Sequence, residues 1–404
     1  MKKIAIITLA VALGDEKGYS RFRFLANLLS EFYDVDLITS TFQHWEKKQR
    51  DIDTILRTKT KYNIELAYEP GYKKNVDIRR VFSHRVAAKN VIKILGKKEY
   101  DLIYCIIPDN SVAASVGKYS KRNGVKCIID VEDLWPEVME MVSPLPNCVN
   151  RILFSSFRRK ARTAYKCADA FVGTSNEYRD VPQVKYRVQG KPAITVYVGC
   201  DLEDFDGGVA EFSKDIEKNE GEFWVTYAGN LGSSYDVATL VRASQELYSK
   251  FPNIKIKILG GGPLETEFKD ISKENPCNVE FAGYTPYRKM AAYLVKSDVL
   301  VNSFVKKAPQ SIVTKIGDYL AAGRPMINTL SSPEFRNKVE TDGFGVNVVA
   351  ENKRVLADAI IEMYRNPEQR EKMGKAAREV CEKEFDRKVS YQEIEKLIRM
   401  VLEK

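Results

Sequence analysis

Lys315 and Asp318 combine the residue types and the spacing that suit a phosphorylated, hydroxyl-bearing ligand. They stand three residues apart, which in a helix places both side chains on one face. Thr314 is the predicted N-cap of this helix, Gly323 its C-terminal stop, and Pro325 lies just beyond. An ammonium in the first turn suits a diphosphate, and a carboxylate one turn deeper can accept hydrogen bonds from two ribose hydroxyls. The alternative is an ion pair on an exposed helix surface.

Two glycine-rich turns are predicted to converge on the same crevice as this helix. They are GNLG at residues 229–232 and GGGP at residues 260–263, each directly after an apolar run. Glycine lets backbone N–H groups approach phosphate oxygens, but a tight turn requires glycine with or without a ligand. Both interpretations stay open for either turn taken singly.

Asp130, Glu132 and Asp133 form an acidic group at the end of another apolar run. Carboxylates at such a position can activate or orient an acceptor hydroxyl. The alternative, equally open for Asp133, is that a carboxylate only caps the following turn. The chain has two histidines, His44 and His84, which argues against a histidine-rich metal site or a histidine-based triad. Seven scattered cysteines without a CxxC pair suggest neither a disulfide framework nor a zinc site.

Apolar, β-branched runs alternate with amphipathic stretches, a pattern typical of α/β structure with parallel sheets. In the first half the runs are residues 4–9, 35–39, 102–107, 127–130, 170–174 and 194–198. In the second half they are FWVTYAGNLG, IKIKILGGGP, VEFAGYTP, DVLVNSF and PMINTL. The acidic stretch after Val198 is interpreted as a linker, and residues 355–404 as helical. The sequence therefore predicts two Rossmann-like domains, residues 1–200 completed by a helix at 388–404, and residues 201–387.

The whole chain has a net charge of +9. The positive charge is concentrated in the first half, which contains a dense basic stretch at residues 73–98. Residues 151–166 mix apolar side chains with Arg158 and Arg159, which is compatible with a helix lying on acidic lipid. The alternative is a solvated basic face whose aromatic residues belong to the core. There is no 18-residue apolar run, and the N-terminal apolar residues are interpreted as a first buried strand rather than a signal peptide.

Nine segments in a fixed order carry a resemblance to a known family. They are the turn at residues 14–18 followed by Arg21, DVEDLWPE, ADAFVGTS, VYVGCDLEDF, YAGNLG, ILGGGP, VEFAGY, TKIGDYLAAGRPMI and REKMGKAARE. Together they resemble glycosyltransferase family 4, whose members have the GT-B architecture of two Rossmann-like domains facing each other across a cleft. The DLWP segment and the helix before AAGRP are similar to the branch that builds bacterial capsules, exopolysaccharides and O-antigens.

The resemblance implies a nucleotide-sugar donor held mainly by the second domain. Asp318 stands where the family's second glutamate holds the ribose, and Lys315 would contact the diphosphate. Tyr284 stands where the family reads the nucleobase through main-chain contacts. The other residues expected at the donor are Gly14, Gly18, Asn230, Gly232, Gly262 and Thr314.

Catalysis and acceptor binding follow from the same resemblance, with no metal or cofactor expected. The expected catalytic residues are Glu132, Asp133 and Lys315. The residues expected to contact the acceptor or the membrane are Arg21, Trp135, Arg158 and Arg159. The chain departs from the family pattern in three ways: Gln310 replaces the first of two paired glutamates, Asn230 replaces a basic residue, and a first-domain histidine is missing.

The expected function is transfer of a hexose or N-acetylhexosamine, with retention, from a UDP-type donor to a lipid-linked saccharide. The expected location is the cytoplasmic face of the cell membrane, with an acidic lipid surface rather than nucleic acid as partner. A non-catalytic partner subunit, suggested by Gln310, and a sugar-nucleotide epimerase are the alternatives. A dinucleotide-dependent oxidoreductase is not predicted, because neither half has a GxGxxG segment followed by an acidic residue at the next strand's end.

Overall fold

The computed structural model describes residues 1–16, 18–75 and 77–404. The chain divides into two compact units, Met1–Val196 with Tyr391–Lys404, and Tyr197–Ser390. The predicted boundaries at residues 200 and 388 differ from these by a few residues. Each unit contains a parallel sheet with helices on both of its faces, so the predicted α/β class with two Rossmann-like domains is confirmed.

The first domain is built on a sheet that, within the described part of the chain, has seven strands in the order β5-β2-β1-β6-β7-β8-β9. β1 lies between β2 and β6 with Ile4 opposite Val35 and Leu102, which confirms that the N-terminal apolar run is a buried strand. The strands are β1 (Lys3–Ile7), β2 (Asp34–Ser40), a small hairpin of β3 (Phe42–Gln43) and β4 (Lys48–Gln49), β5 (Asn63–Ala67), β6 (Leu102–Ile107), β7 (Lys126–Val131), β8 (Ala170–Gly173) and β9 (Ala193–Thr195).

Helices α1 to α8 surround this sheet. They are α1 (Arg21–Leu29), α2 (Ile52–Arg57), α3 (Ile78–Leu95), α4 (Asn110–Asn123), α5 (Glu137–Val142), α6 (Asn147–Leu153), α7 (Ser155–Cys167) and α8 (Asn176–Val184). The amphipathic segment 151–166 is not one helix as predicted, because the chain leaves helical geometry at Phe154 and separates α6 from α7.

The second domain has six strands, counted over the described residues, in the order β12-β11-β10-β13-β14-β15. They are β10 (Phe223–Ala228), β11 (Ile254–Leu259), β12 (Val279–Gly283), β13 (Val299–Asn302), β14 (Met326–Asn328) and β15 (Gly345–Asn347). The first five correspond to the predicted apolar runs. β15 was missed because its three residues, Gly-Val-Asn, carry almost no strand signal.

The helices of the second domain include one where a linker was predicted. They are α9 (Leu202–Phe212), α10 (Val237–Leu247), α11 (Glu265–Glu274), α12 (Tyr287–Lys296), α13 (Lys315–Ala321), α14 (Pro333–Asp342), α15 (Lys353–Arg365), α16 (Pro367–Val380) and α17 (Arg387–Ser390), with a π-helical turn at Cys381–Phe385. The linker prediction is wrong for residues 202–212. Asp201 caps α9 through a hydrogen bond from the Asp204 N–H, and Leu202 and Phe205 are buried.

The C-terminal helix α18 (Gln392–Glu403) packs in the first domain. Its buried residues Ile394 and Ile398 belong to the same apolar core as Ile4 and Phe22. The predicted helical character of residues 355–404 is thus observed, and the last of these helices completes the first sheet's cover.

Candidate functional site

Three glycine turns meet at the carboxyl ends of neighbouring strands in the second domain. The Leu231 N–H donates to the Gly261 carbonyl at 3.0 Å, and the Gly260 N–H donates to the Gly283 carbonyl at 2.7 Å. The turns after β10, β11 and β12 therefore contact one another, as predicted for the first two. This edge is where ligands bind in open parallel sheets.

Close packing alone requires glycine at two of these positions. A Cβ on Gly260 would lie 1.9 Å from the Gly229 carbonyl oxygen, and Gly260 has φ +125°. A Cβ on Gly262 would lie 2.5 Å from the Leu231 carbonyl oxygen. The turn-forming interpretation thus explains both residues, and the ligand hypothesis has to rest on other groups.

The Lys315 ammonium is the group that points to a ligand. Its nitrogen is buried, and within the described residues it has no hydrogen-bond partner. It lies 3.4 Å from where a Cβ on Gly229 would stand, so it is at the turn after β10. Aromatic rings surround it, with centroid distances of 4.1 Å to Tyr227, 4.9 Å to Tyr235, 5.3 Å to Phe304 and 5.6 Å to Tyr319. Burial lowers the pKa of Lys315 from 10.5 to about 7.

Asp318 lies one turn further along α13 and accepts a hydrogen bond from the Tyr287 hydroxyl at 2.9 Å. Burial raises the pKa of Asp318 to about 6, although the Tyr287 hydrogen bond and the charge of Arg387 oppose that rise. Among the described residues no carboxylate, Asp318 included, forms an ion pair with Lys315. The alternative of an exposed surface pair is therefore wrong.

Only the C-terminal end of α13 agrees with the prediction. Gly323 adopts φ +61° just after the helix and ends it as expected. Thr314 precedes the helix but its side chain makes no capping hydrogen bond. Its own backbone is helical, with φ −52° and ψ −43°, whereas a side-chain cap needs an extended residue to reach the following N–H groups. The exposed Thr314 hydroxyl is left at the start of the helix.

The other residues expected at the donor are spread over both domains. In the second, Asn230, Gly232 and Gly262 belong to the touching turns, and the Tyr284 side chain is 65% exposed after the Gly283 turn. In the first, Gly14 has φ +54°, and a Cβ on Gly18 would lie 2.4 Å from the Trp45 ring. The donor roles of all these residues stay predictions. Gln310, where the family has a glutamate, has a buried side-chain oxygen without a hydrogen-bond partner in the described structure.

Arg21 is fully buried in the first domain, which contradicts its expected contact with the acceptor or the membrane. Its guanidinium lies 2.9 Å from Asp130 and 2.6 Å from Glu132, and it donates to the Tyr391 hydroxyl at 3.1 Å. Arg21 is therefore the counter-ion of two buried carboxylates and ties α1 to the residue just before α18. Tyr19 and Tyr104 donate to the same two carboxylates.

The two expected catalytic carboxylates of the first domain differ in their surroundings. Glu132 lines a pocket, and burial raises its pKa to about 7 against the opposing charge of Arg21. Asp133 accepts a hydrogen bond from the Leu134 N–H at 2.8 Å. The capping interpretation therefore accounts for Asp133, and the catalytic hypothesis is better placed on Glu132.

The pocket that Glu132 lines contains several polar residues that the sequence analysis did not assign to a site. They are His44, Glu69, Tyr72, Arg80, His84 and Asp109, all in the first domain. His44, Glu69, Tyr72 and Asp109 follow the carboxyl ends of β2, β5 or β6 by at most six residues. Parallel sheets bind ligands at the carboxyl ends of their strands. Arg80 and His84 lie on α3 and carried no such signal, since the sequence placed them only in a basic stretch.

The other residues expected to contact the acceptor or the membrane differ in exposure and in their contacts. Trp135 packs on the Arg80 guanidinium, 4.3 Å from the ring centroid to the guanidinium carbon. Arg158 is half-buried and pairs with Glu140, whereas Arg159 is exposed. The chain between Trp135 and Arg158 also carries exposed apolar side chains: Met141, Leu145, Val149, Ile152 and Leu153. In the described part of the chain, no helix has the length and hydropathy needed to span a bilayer.

Sequence comparison identifies the kind of protein that the second domain is similar to. Residues 209–380 match the family model described as glycosyl transferases group 1. This range contains the glycine turns and α13. The matched family supports a glycosyl-transfer role. No curated protein matches the chain in sequence.

Three solved structures are similar over almost the entire chain. HepE from Anabaena, solved in complex with UDP, has 14% identity and a TM-score of 0.69, covering 99% of this chain and 100% of its own. Sucrose-phosphate synthase from Thermosynechococcus elongatus has 17% identity and a TM-score of 0.72, covering 100% of both chains. WaaG, a glycosyltransferase involved in lipopolysaccharide biosynthesis, has 12% identity and a TM-score of 0.67, covering 98% and 99%. At these identities the likeness shows the fold, which is that of GT-B glycosyltransferases.

Proposed function

We propose that the protein is a glycosyltransferase that binds a nucleotide sugar, preferably a UDP-sugar, at the glycine turns and α13 of its second domain. The observation that carries this proposal is the buried Lys315 ammonium, which has no hydrogen-bond partner among the described residues. Burying a cation without a partner costs free energy, so a site that keeps one is suited to an anionic ligand. The match of residues 209–380 to glycosyl transferases group 1 and the HepE structure with UDP support this choice of ligand.

The chemistry assigned to the two α13 residues follows from their charges. A cation at the donor diphosphate stabilises the negative charge that develops on the leaving group during transfer. Asp318, which accepts a hydrogen bond from Tyr287 on one oxygen, has a second oxygen that suits ribose hydroxyls. Lys315 therefore acts on the transition state, and Asp318 orients the nucleotide.

A thermal-shift panel of UDP-, GDP-, ADP- and dTDP-sugars tests the donor proposal. At a donor concentration of 100 Kd, binding to the folded state stabilises it by about 2.7 kcal/mol. We expect one nucleotide class, UDP-sugars, to raise Tm in the wild type. Asp318→Ala should lose this response, and Asp270→Ala, which removes an exposed carboxylate on α11, should keep it.

The panel also separates the alternative functions. If no nucleotide sugar raises Tm, the donor proposal fails and a non-catalytic partner subunit is preferred. If a donor binds and product analysis then finds an epimerised nucleotide sugar without acceptor, the protein is an epimerase. Transfer of the sugar to an added acceptor, with the anomeric configuration read by NMR and repeated in EDTA, tests the expected retention and metal independence.

For the acceptor we propose a lipid-linked saccharide, used at an acidic membrane surface on the cytoplasmic side in surface polysaccharide biosynthesis. Large apolar side chains stand exposed on α6, with Ile152 at 77% and Leu153 at 56%, beside the exposed Arg151 and Arg159. Apolar side chains that enter an interface, flanked by cations that face anionic headgroups, are the features of membrane-surface helices. The resemblance to the capsule and O-antigen branch supports the same acceptor.

Vesicle co-sedimentation tests the membrane proposal. We expect the wild type to bind vesicles with anionic lipid more than neutral vesicles, and replacement of both Ile152 and Leu153 by Ser to weaken that binding. Val184→Ser is the matched control, because Val184 is 75% exposed on α8 of the same domain. Equal binding to neutral and anionic vesicles, or an equal loss in the control, would contradict the proposal.

A further inference from the structure

The pocket that contains Glu132 is formed by one domain alone. Its walls come from the segments after β1, β2, β5, β6 and β7 and from α3. Its cavity volume is about 70 Å³ and it opens to solvent at its mouth, so it can take up part of a small molecule rather than enclose one. The wall combines aromatic, acidic and basic side chains.

Arg80 contacts two aromatic rings and, within the described residues, has no carboxylate partner. The guanidinium carbon lies 4.3 Å from the Trp135 ring centroid and 5.2 Å from that of Tyr72. Arg80 donates to the Asn75 carbonyl at 3.0 Å and lies 3.5 Å from His84 Nε2. A guanidinium has five N–H donors, so these contacts leave donors for a ligand.

Lys47 is a second cation that packs on the Tyr72 ring, although its side chain does not line the pocket. Its ammonium lies 4.8 Å from the Tyr72 ring centroid and donates to the Asn75 side chain at 2.7 Å. Over the described residues, neither Arg80 nor Lys47 has a carboxylate within ion-pair distance. Burial and the charge of Arg80 lower the pKa of Lys47 to about 8. Burial and the charges of Lys47 and Arg80 also lower the pKa of His44, to about 3. Arg80 and Lys47 therefore place positive charge beside Tyr72, which Glu69 partly offsets at Lys47.

The same wall contains carboxyl groups that can contact hydroxyls. Asp109 Oδ2 is buried and makes no hydrogen bond within the described structure, although His84 Nδ1 lies 3.3 Å away. Burial raises the pKa of Asp109 to about 7, as it does for Glu132. Near neutral pH such carboxyls exchange between donor and acceptor forms, which suits the hydroxyl groups of a sugar.

We propose that this pocket binds a sugar that carries an anionic group, with Arg80 contacting the anion, Asp109 contacting a hydroxyl, and Trp135 and Tyr72 packing on Arg80. The anion is a carboxylate, as in a uronic acid, or a phosphate, and both suit the guanidinium fork of Arg80. The inference deepens the proposed function, on which its assignment to the acceptor rests, by giving the acceptor an acidic sugar or a sugar phosphate.

Calorimetric titration of the full-length protein without donor tests the pocket. The probes are methyl glucuronide, glucose 6-phosphate, neutral methyl glucoside and inorganic phosphate. We expect one of the anionic sugars to bind at least tenfold tighter than methyl glucoside, and the one that does so identifies the anion. Arg80→Met should remove the preference and Arg80→Lys should keep part of it, because Lys retains the charge without the fork.

Two controls place the effect in this pocket. Arg79→Met removes the neighbouring exposed cation of α3 and should leave the preference unchanged. Lys315→Met should also leave it unchanged, which excludes binding at the second domain. Equal affinity for methyl glucuronide, glucose 6-phosphate and methyl glucoside, equal binding of inorganic phosphate, or an unchanged preference in a folded Arg80→Met would each overturn the inference.

The two proposals fail in different ways. If UDP-sugars stabilise the protein but the anionic preference is missing, the pocket inference fails and the donor site stands. If the anionic preference is present but no nucleotide sugar binds, the pocket stands and the glycosyltransferase proposal fails.

Discussion

Replacing Lys315 by Met should stabilise the free protein and abolish its response to a nucleotide sugar. Met fills nearly the same space among the four aromatic rings and carries no charge. The pKa of Lys315 falls from 10.5 to about 7 because its ammonium is buried, and at 1.36 kcal/mol for each pH unit this corresponds to about 5 kcal/mol. That is the free energy by which burial disfavours the charged form, and Lys315→Met removes it.

The gain from Lys315→Met depends on pH in a defined direction. Below pH 7 both the folded and the unfolded lysine are charged, so the penalty is complete. Between about pH 7 and 10.5 the unfolded chain binds a proton that the folded chain has lost, and wild-type stability rises by about 1.4 kcal/mol per pH unit. The advantage of the variant should therefore shrink over this range and vanish near pH 10.5.

Urea unfolding of wild type and Lys315→Met at pH 6, 7, 8 and 9 measures the difference. Lys372→Met, which removes an exposed lysine of α16, should change stability by less than about 0.5 kcal/mol at each pH. A Lys315→Met variant that is less stable than wild type at pH 6 would show that the ammonium has a stabilising partner. A constant difference from pH 6 to 9 would show that its pKa is not lowered.

Three further outcomes follow from the same structure. Donor affinity should be greatest between about pH 6 and 7, because Asp318 must be ionised and Lys315 protonated. Calorimetry should find that the donor affinity falls up to tenfold per pH unit above pH 7. Arg21→Met should cost about 3–5 kcal/mol in urea unfolding at pH 7, because two buried carboxylates lose their cation, and the cost should shrink at acidic pH as they protonate. Gly260→Ala should destabilise the protein by more than about 3 kcal/mol in thermal unfolding. Gly221 is the control, because it also has a positive φ but no heavy atom lies within 4 Å of an added Cβ, and Gly221→Ala should cost about 1 kcal/mol.

The parts of the site that were predictable depend on short-range order. Lys315 and Asp318 are three residues apart, so helical geometry alone relates them, and the strand-turn pattern of 223–232 and 254–263 locates the turns beside them. What spacing cannot give is burial. Whether a Lys and an Asp on one face pair in solvent or lie apart in a protein interior depends on Tyr227, Tyr235, Phe304 and Tyr287, which come from other elements.

The wrong predictions share a physical cause. Arg21 was assigned to a surface because its neighbours in sequence say nothing about Asp130 and Glu132, more than 100 residues away, which neutralise it in the interior. Residues 202–212 were interpreted as part of a linker because the stretch 200–222 is acidic and carries few apolar residues. Two apolar residues on one face, Leu202 and Phe205, together with an N-cap at Asp201, are sufficient for a helix that packs in a core.

Each domain thus holds a cation at the edge of its sheet that has no carboxylate partner in the described structure, Lys315 in the second and Arg80 in the first. In both places aromatic rings lie next to the charge. No acidic residue of the described chain lies within ion-pair distance of it. A folded protein gains little stability from such an arrangement, because a nearby carboxylate would offset the charge at lower cost. The same arrangement favours an anion that binds and leaves, since no internal partner has to be displaced. A transferase with a nucleotide donor and an acidic acceptor needs two such sites, and Lys315→Met and Arg80→Met examine them separately.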